Sequence, residues 1–349
     1  MFLKKWFWQQ DKVILFTMLF SLFIGFMTIT KLSFVLSNRF SSHFLFFILK
    51  QGIFIFIGLI CFFIFSIINW NKMKRILWIG FVLFLIITFI TVVIGTKVNG
   101  VRRWLHFGSF TLQSSEFLKV FSIYPIAYLL SKSKHSLVII LLFITVGSLL
   151  IQPDLGMSFL VSSTAASQIF LKGQNLMLYF KIFGVVLIFG ILSALFLAEY
   201  AKNRILIFFG QKKGFQIEQA IKLISSSSIY GQNDSNIYIP DSHCDFIFTE
   251  ICGFFGIFIA IVIIFLPILI NLRIFQKTKE DYDSDDKQLL MLGIGFHYAI
   301  QMYFHILSNL GVVPTKGVTL PFFSFGGSSI IAQCCLFGIL SSILKRKLL

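Results

Sequence analysis

Successive runs of about 17 to 25 apolar residues, divided by short polar breaks, restrict this chain to a bilayer. They centre near residues 22, 56, 86, 122, 143, 164, 188, 257, 299 and 335. In hydrocarbon, backbone N–H and C=O groups must be satisfied within the protein, so each run is expected to cross as an α-helix. A hydrophobic content of 57%, 13% charged residues and a mean hydropathy of +0.89 exclude a water-soluble globule of 349 residues. The fold predicted is an all-α, polytopic integral membrane protein of about ten transmembrane helices, one domain over residues 1–349.

Several local features refine this picture. The leading MFLKKWFWQQDK runs straight into an apolar segment with no small-residue cleavage site, so the first helix is expected to remain as an anchor. About ten crossings put both termini on one side. Lys4, Lys5, Lys12, Lys72, Lys74, Arg75, Lys132, Lys134, Lys172, Arg273, Lys277, Lys279, Lys287, Lys345, Arg346 and Lys347, sixteen in all, would then share the cytoplasmic side against eleven basic residues outside, which favours an N-in, C-in orientation. The stretch 276–288 reads as a solvated connector. The loop 201–244 falls outside, and its QKKGFQIEQAIKLI is an amphipathic helical pattern suited to the interface.

Ionisable residues near the runs are candidates for chemistry. Asp245, in IPDSHCDFIF, stands where a polar loop enters an apolar run. A carboxylate at membrane depth costs roughly 2 to 4 kcal/mol, less near the interface, so it has a task or a partner. Asp245 is read either as a general base, its pKa raised by partial desolvation, or as the N-cap of the next helix. Asp241 and His243 are weaker candidates for the same role, or members of a solvated loop. Glu116 and Lys119 lie three apart near the outer end of a run and face one side, where they can pair. Asp154 follows Pro153 in the break between two short runs, as a turn-stabilising residue or a cavity group. Arg102 and Arg103 precede Trp104, where a guanidinium can grip a phosphate-type anion with two donors or meet lipid headgroups beside an interfacial tryptophan. Lys316 is a second candidate phosphate contact. His297 and His305 are expected to make local hydrogen bonds, and the five cysteines show no CxxC or metal-ligand spacing. No metal site and no nucleic-acid partner are predicted.

Four motifs together carry a resemblance. NGVRRWLHFGSFTLQSSEFLK (99–119), QPDLG (152–156), PDSHCDFIF (240–248) and PTKGVTLPFFSFGGSS (314–329) resemble, in order and spacing, the SEDS family (shape, elongation, division and sporulation). GVRRW, PDSHCDF and PTKGVTLPF are most similar to its division-type branch. The resemblance implies a peptidoglycan glycosyltransferase that polymerises lipid II into nascent glycan outside the bacterial cytoplasmic membrane. A class B penicillin-binding transpeptidase and division-complex proteins would be partners, at the septum. It also implies that Asp245 is the essential aspartate, and that Glu116 and Lys119 line a central cavity. No cofactor is required by this chemistry, although a divalent cation, Mg2+ or Mn2+, held largely by substrate phosphate would aid pyrophosphate departure. Two other readings stay open: a lipid II flippase, and a catalytically silent scaffold for a transpeptidase.

The sequence also departs from the family pattern. Ser114 replaces a usual proline, Cys244 a threonine, and Gly253 and Phe254 a pair of glutamates, while a glycine-rich loop segment reads SSSSIYGQNDSN.

Overall fold

Every predicted run within the described residues folds as a helix in the computed structural model, which describes residues 2–40, 43–98, 100–108, 110–173, 184, 214–231, 237–279, 284–315 and 317–345. The run near 188, all of 201–213, residues 232–236 of the serine-rich loop segment and Lys316 lie outside the described residues. In chain order the elements are α1 (Phe2–Gln9), α2 (Lys12–Phe40), α3 (Leu45–Ile67), α4 (Trp70–Ile94), β1 (Thr96–Val98), β2 (Val101–Phe107), β3 (Phe110–Gln113), α5 (Ser114–Ser131), α6 (His135–Ile151), α7 (Leu155–Leu171), α8 (Phe215–Ser226), α9 (Ile247–Thr278), α10 (Asp285–Asn309) and α11 (Gly327–Leu344). Among the described residues, six helices are long and apolar enough to cross a membrane: α2, α3, α4, α9, α10 and α11.

Apolar content alone does not say which helix is central, but burial does. α5 and α11 are buried on nearly every face, whereas α3 and α4 show broad exposed stripes of Phe, Ile, Leu and Val. In a bilayer such stripes face lipid, and association rests on close packing over small residues. A Cβ on Gly58 of α3 would lie 2.9 Å from Cys334 Sγ, and one on Gly338 of α11 would lie 2.8 Å from the Phe62 carbonyl oxygen. These two glycines let α3 and α11 meet at backbone distance.

The helical bundle carries one addition that hydropathy does not predict. Residues 96–113 form an antiparallel meander in the order β1-β2-β3, with Trp104 opposite Gln113 and Phe107 opposite Phe110. The β-prone segments VRRWLHF and FTLQ flank Gly100 and Gly108, whose φ of 84° and 60° suit tight hairpin turns.

The amphipathic segment forms α8 as predicted, yet it does not simply lie in the interface. Ala220 and Leu223 pack with Ile239 and Phe246 at the entry to α9. Burying that face against protein removes it from the lipid surface.

α9 is jointed. Gly256 has φ 81° and ψ 172°, and the freed amides of Ile257 and Phe258 donate to the carbonyls of Ser228 and Ile229 at 3.1 and 3.2 Å. Lys31 of α2 donates to the Phe254 carbonyl at 3.3 Å. A break inside a membrane helix is stable only with such replacement partners. Alanine at 256 would place its Cβ 2.2 Å from the Ile229 oxygen in a left-handed conformation. Gly256→Ala should therefore lower the melting temperature in detergent, by a destabilisation of at least about 1–3 kcal/mol. An unchanged melt would show that the joint is not held as described.

At the end of the bundle where α2 begins, Asp11 pairs with Arg273 at 2.7 Å, Ser341 donates to Gln10, and Trp6 donates to Ser66 at 2.7 Å. These contacts tie the first helices to α3, α9 and α11. The polar pocket lies at the other end.

Candidate functional site

The segment before α9 is held from two sides. The amides of Cys244 and Asp245 both donate to the Asp241 carbonyl at 3.0 Å, closing a turn. Asn309, at the end of α10, donates to the Asp245 carbonyl at 2.9 Å, while Ser324 donates to the Cys244 carbonyl at 2.8 Å and the Phe325 amide to that of His243 at 2.8 Å. The N-cap position of α9 is Phe246, so Asp245 stands one residue before the cap position that one reading of the sequence gave it. Half-buried, it lines a pocket of about 300 Å3.

That pocket gathers residues from five parts of the chain. Lys50 and Phe54 come from α3, Trp104, Thr111 and Gln113 from the sheet, and Glu116 from α5. His243, Cys244 and Asp245 precede α9, and Gly317, Thr319 and residues 325–329 lead into α11. Gly327 lets α11 approach α3, since a Cβ there would sit 2.6 Å from the Phe54 ring. Ser328 accepts from the Gln113 amide at 3.0 Å and donates to the Thr111 carbonyl, fastening β3 to α11.

Glu116 and Lys119 pair at 2.6 Å, each 1% exposed. Lys119 also donates to Gln301 at 3.0 Å; Gln301 accepts in addition from Gln333 at 2.7 Å and donates to the Thr319 carbonyl at 2.9 Å. This network links the pocket floor on α5 to α10, α11 and the Gly317–Thr319 stretch.

Asp154 stands behind the pocket wall. Its carboxylate caps α7 at the Met157 amide, 3.4 Å, and accepts from Ser115 at 3.1 Å and Gln113 at 3.5 Å. The turn-stabilising reading is thus realised, and Asp154 acts on the pocket through Gln113.

The arginines of β2 meet backbone carbonyls at helix ends. Arg103 donates from Nε to the Gln152 carbonyl at 3.1 Å and from a terminal nitrogen to the Pro153 carbonyl, and Arg102 donates to the Val93 carbonyl. Carbonyls at the C-terminal ends of α6 and α4 lack intrahelical donors, and a guanidinium fork satisfies them. Neither arginine lines the pocket.

Two environments in the pocket are chemically distinct. Burial lowers the pKa of His243, partly opposed by Asp241, which favours the neutral ring. Burial, followed by Asp245 and Asp241, holds the Cys244 thiol well above the ordinary thiol range. His297 and His305 behave as expected, with Thr164 Oγ1 at 3.0 Å and the Val318 carbonyl at 2.7 Å from their Nδ1 atoms. Among the described residues no His, Cys, Asp or Glu group is arranged to hold a metal. Glu116 is matched by Lys119, so a divalent cation would draw mainly on substrate phosphate for ligands.

Sequence reasoning missed Lys50, Trp104, Gln113 and Thr319 as pocket residues. Lys50 carried a signal, being a lysine inside an apolar run.

Bundle and pocket together define a polytopic membrane protein with a polar site built around Asp245. The FtsW/RodA/SpoVE model, described as cell cycle protein, matches residues 11–348, and the chain belongs to that family. It is 31% identical to a probable peptidoglycan glycosyltransferase FtsW of Pseudoalteromonas translucida, over 95% of this chain and 88% of that one. It is 28% identical to the protein of the same description from Coxiella burnetii, over 96% of both. Its fold matches a chain of a peptidoglycan synthase complex that coordinates polymerisation and crosslinking, with a TM-score of 0.75, 23% identity and 96% and 97% coverage. It also matches the rod shape determining protein RodA of Thermus thermophilus, with a TM-score of 0.67, 20% identity and 96% coverage of each chain.

Proposed function

We propose that this chain is a peptidoglycan glycosyltransferase that polymerises lipid II at the outer face of the bacterial cytoplasmic membrane during division, working with a class B transpeptidase at the septum. The observation that carries the reading is the placement of Asp245, half-buried at a membrane boundary, in a polar pocket with a neutral-leaning histidine and an ion-paired floor. Asp245 takes the proton of the acceptor 4-hydroxyl. The oxygen then attacks the donor anomeric carbon from the face opposite the leaving group, and the C–O bond to pyrophosphate breaks with inversion. Glu116, Lys119 and Gln301 keep the floor fixed, Asp154 buttresses Gln113, and His243 supplies a hydrogen-bonding ring at the rim. Lys316, which adjoins Gly317, is a further phosphate contact.

The enzyme reading is favoured over translocation by the shape of the interior. A carrier needs sites reachable from both sides, whereas here the polar pocket belongs to one end and the other is tied across by Asp11, Arg273, Gln10 and Ser341.

Purified protein, alone and with its cognate class B transpeptidase, is expected to convert lipid II into glycan polymer. Absence of polymer in both, with lipid II translocation in vesicles, would replace this reading by the transporter. The orientation is checked with an impermeant thiol reagent, which should reach Lys97→Cys from outside intact cells and Lys279→Cys only after permeabilisation. The reverse pattern would place Asp245 on the cytoplasmic side.

A further inference from the structure

α3 presents three different faces, and Lys50 stands on the border between two of them. At 100° per residue, Lys50 and Phe54 share one stripe, and both line the pocket that holds Asp245. The adjoining stripe carries Phe46, Leu49, Ile53 and Phe56, all exposed and apolar, as a lipid-facing wall must be. Lys50 is therefore a half-buried cation at the lateral rim, where the bilayer meets the pocket.

Among the described residues, three other basic groups near the site are already engaged. Arg102 and Arg103 hold helix-end carbonyls, and Lys119 is buried against Glu116 and Gln301. Lys50 makes no ion pair among the described residues; its ammonium sits 5.2 Å from the Phe46 ring centroid. A long alkyl stem lying along apolar surface with its charge turned to a polar space is the usual arrangement of a lysine at a membrane boundary.

We propose that Lys50 binds the pyrophosphate of the lipid-linked donor as it enters sideways past α3, and stabilises it as the leaving group. The proposal rests on the glycosyltransferase reading above. When the acceptor oxygen bonds to the anomeric carbon, the electron pair of the broken C–O bond passes to the pyrophosphate, and Lys50 donates hydrogen bonds to its non-bridging oxygens. The acceptor proton goes to Asp245. Nothing else is consumed.

The test compares Lys50→Met and Lys50→Arg in the full chain with its transpeptidase, after matched melting curves establish folding. Direct binding of undecaprenyl pyrophosphate and of undecaprenol is measured, with phosphatidylglycerol vesicles as competitor. Lys50→Met is expected to weaken undecaprenyl pyrophosphate binding by about tenfold or more, the loss of one charge-assisted contact, and to raise the KM for lipid II. Undecaprenol binding should not change, Lys50→Arg should recover most of the loss, and phosphatidylglycerol should not displace the pyrophosphate lipid. Wild-type binding by Lys50→Met would overturn the proposal, as would equal weakening of both ligands or displacement by phosphatidylglycerol, which would mark a general headgroup contact. A wild-type protein that binds the pyrophosphate lipid but makes no polymer would instead remove the glycosyltransferase reading, and the leaving-group role with it.

Discussion

Asp245→Asn is expected to abolish lipid II polymerisation while leaving folding, membrane insertion and transpeptidase association intact. The amide is close to isosteric, and the backbone of this segment is held independently of the carboxylate by Asn309 and Ser324. What is lost is the ability to accept the hydroxyl proton, and removal of a general base lowers rates by about 10² to 10⁴. Polymer yield is measured with the variant at wild-type abundance and melting temperature. Retention of more than roughly a tenth of the activity would mean that another group takes the proton.

The second large effect concerns the floor of the pocket. Glu116→Gln or Lys119→Met should each destabilise the protein by about 3–5 kcal/mol, because removing one partner strands a buried charge. Both side chains are 1% exposed and pair at 2.6 Å, so water cannot compensate. The double variant should regain much of the stability of the single ones, since both charges are then gone and an apolar replacement of a buried pair is often tolerated. Polymerisation should nevertheless remain impaired, because Gln301 would lose the Lys119 donor that helps to hold it beneath Thr319. Detergent melting curves separate the two effects. Single variants that melt with the wild type would show that the pair contributes little to holding the bundle together.

The arginines illustrate why residue type does not settle role. Two adjacent guanidiniums beside an interfacial tryptophan suit pyrophosphate recognition equally well as carbonyl capping, and nothing in their order along the chain distinguishes the two. The distinction comes from where β2 runs. Its register sets Trp104 opposite Gln113 and carries Arg103 to the break between α6 and α7. Asp154 shows the same dependence, since its cap on α7 and its bonds to Ser115 and Gln113 need three elements in place.

Periodicity and hydropathy determined the apolar helices after α1 among the described residues, the amphipathic α8, the break at Gln152–Asp154 and the Glu116–Lys119 pairing, because each depends on residues close in the chain. Helix crossing, pairing at i and i+3, and turn formation are local or one-dimensional properties, and a bilayer imposes them residue by residue. Only the tertiary structure decided that α5 and α11 are central, that residues 96–113 form a sheet, that the arginines hold carbonyls, and that Lys50 shares a pocket with Asp245. Lys50 and Asp245 lie nearly two hundred residues apart, and their meeting depends on α11 packing against α3 through Gly58, Gly327 and Gly338, a matter of shape between surfaces that no hydropathy pattern encodes.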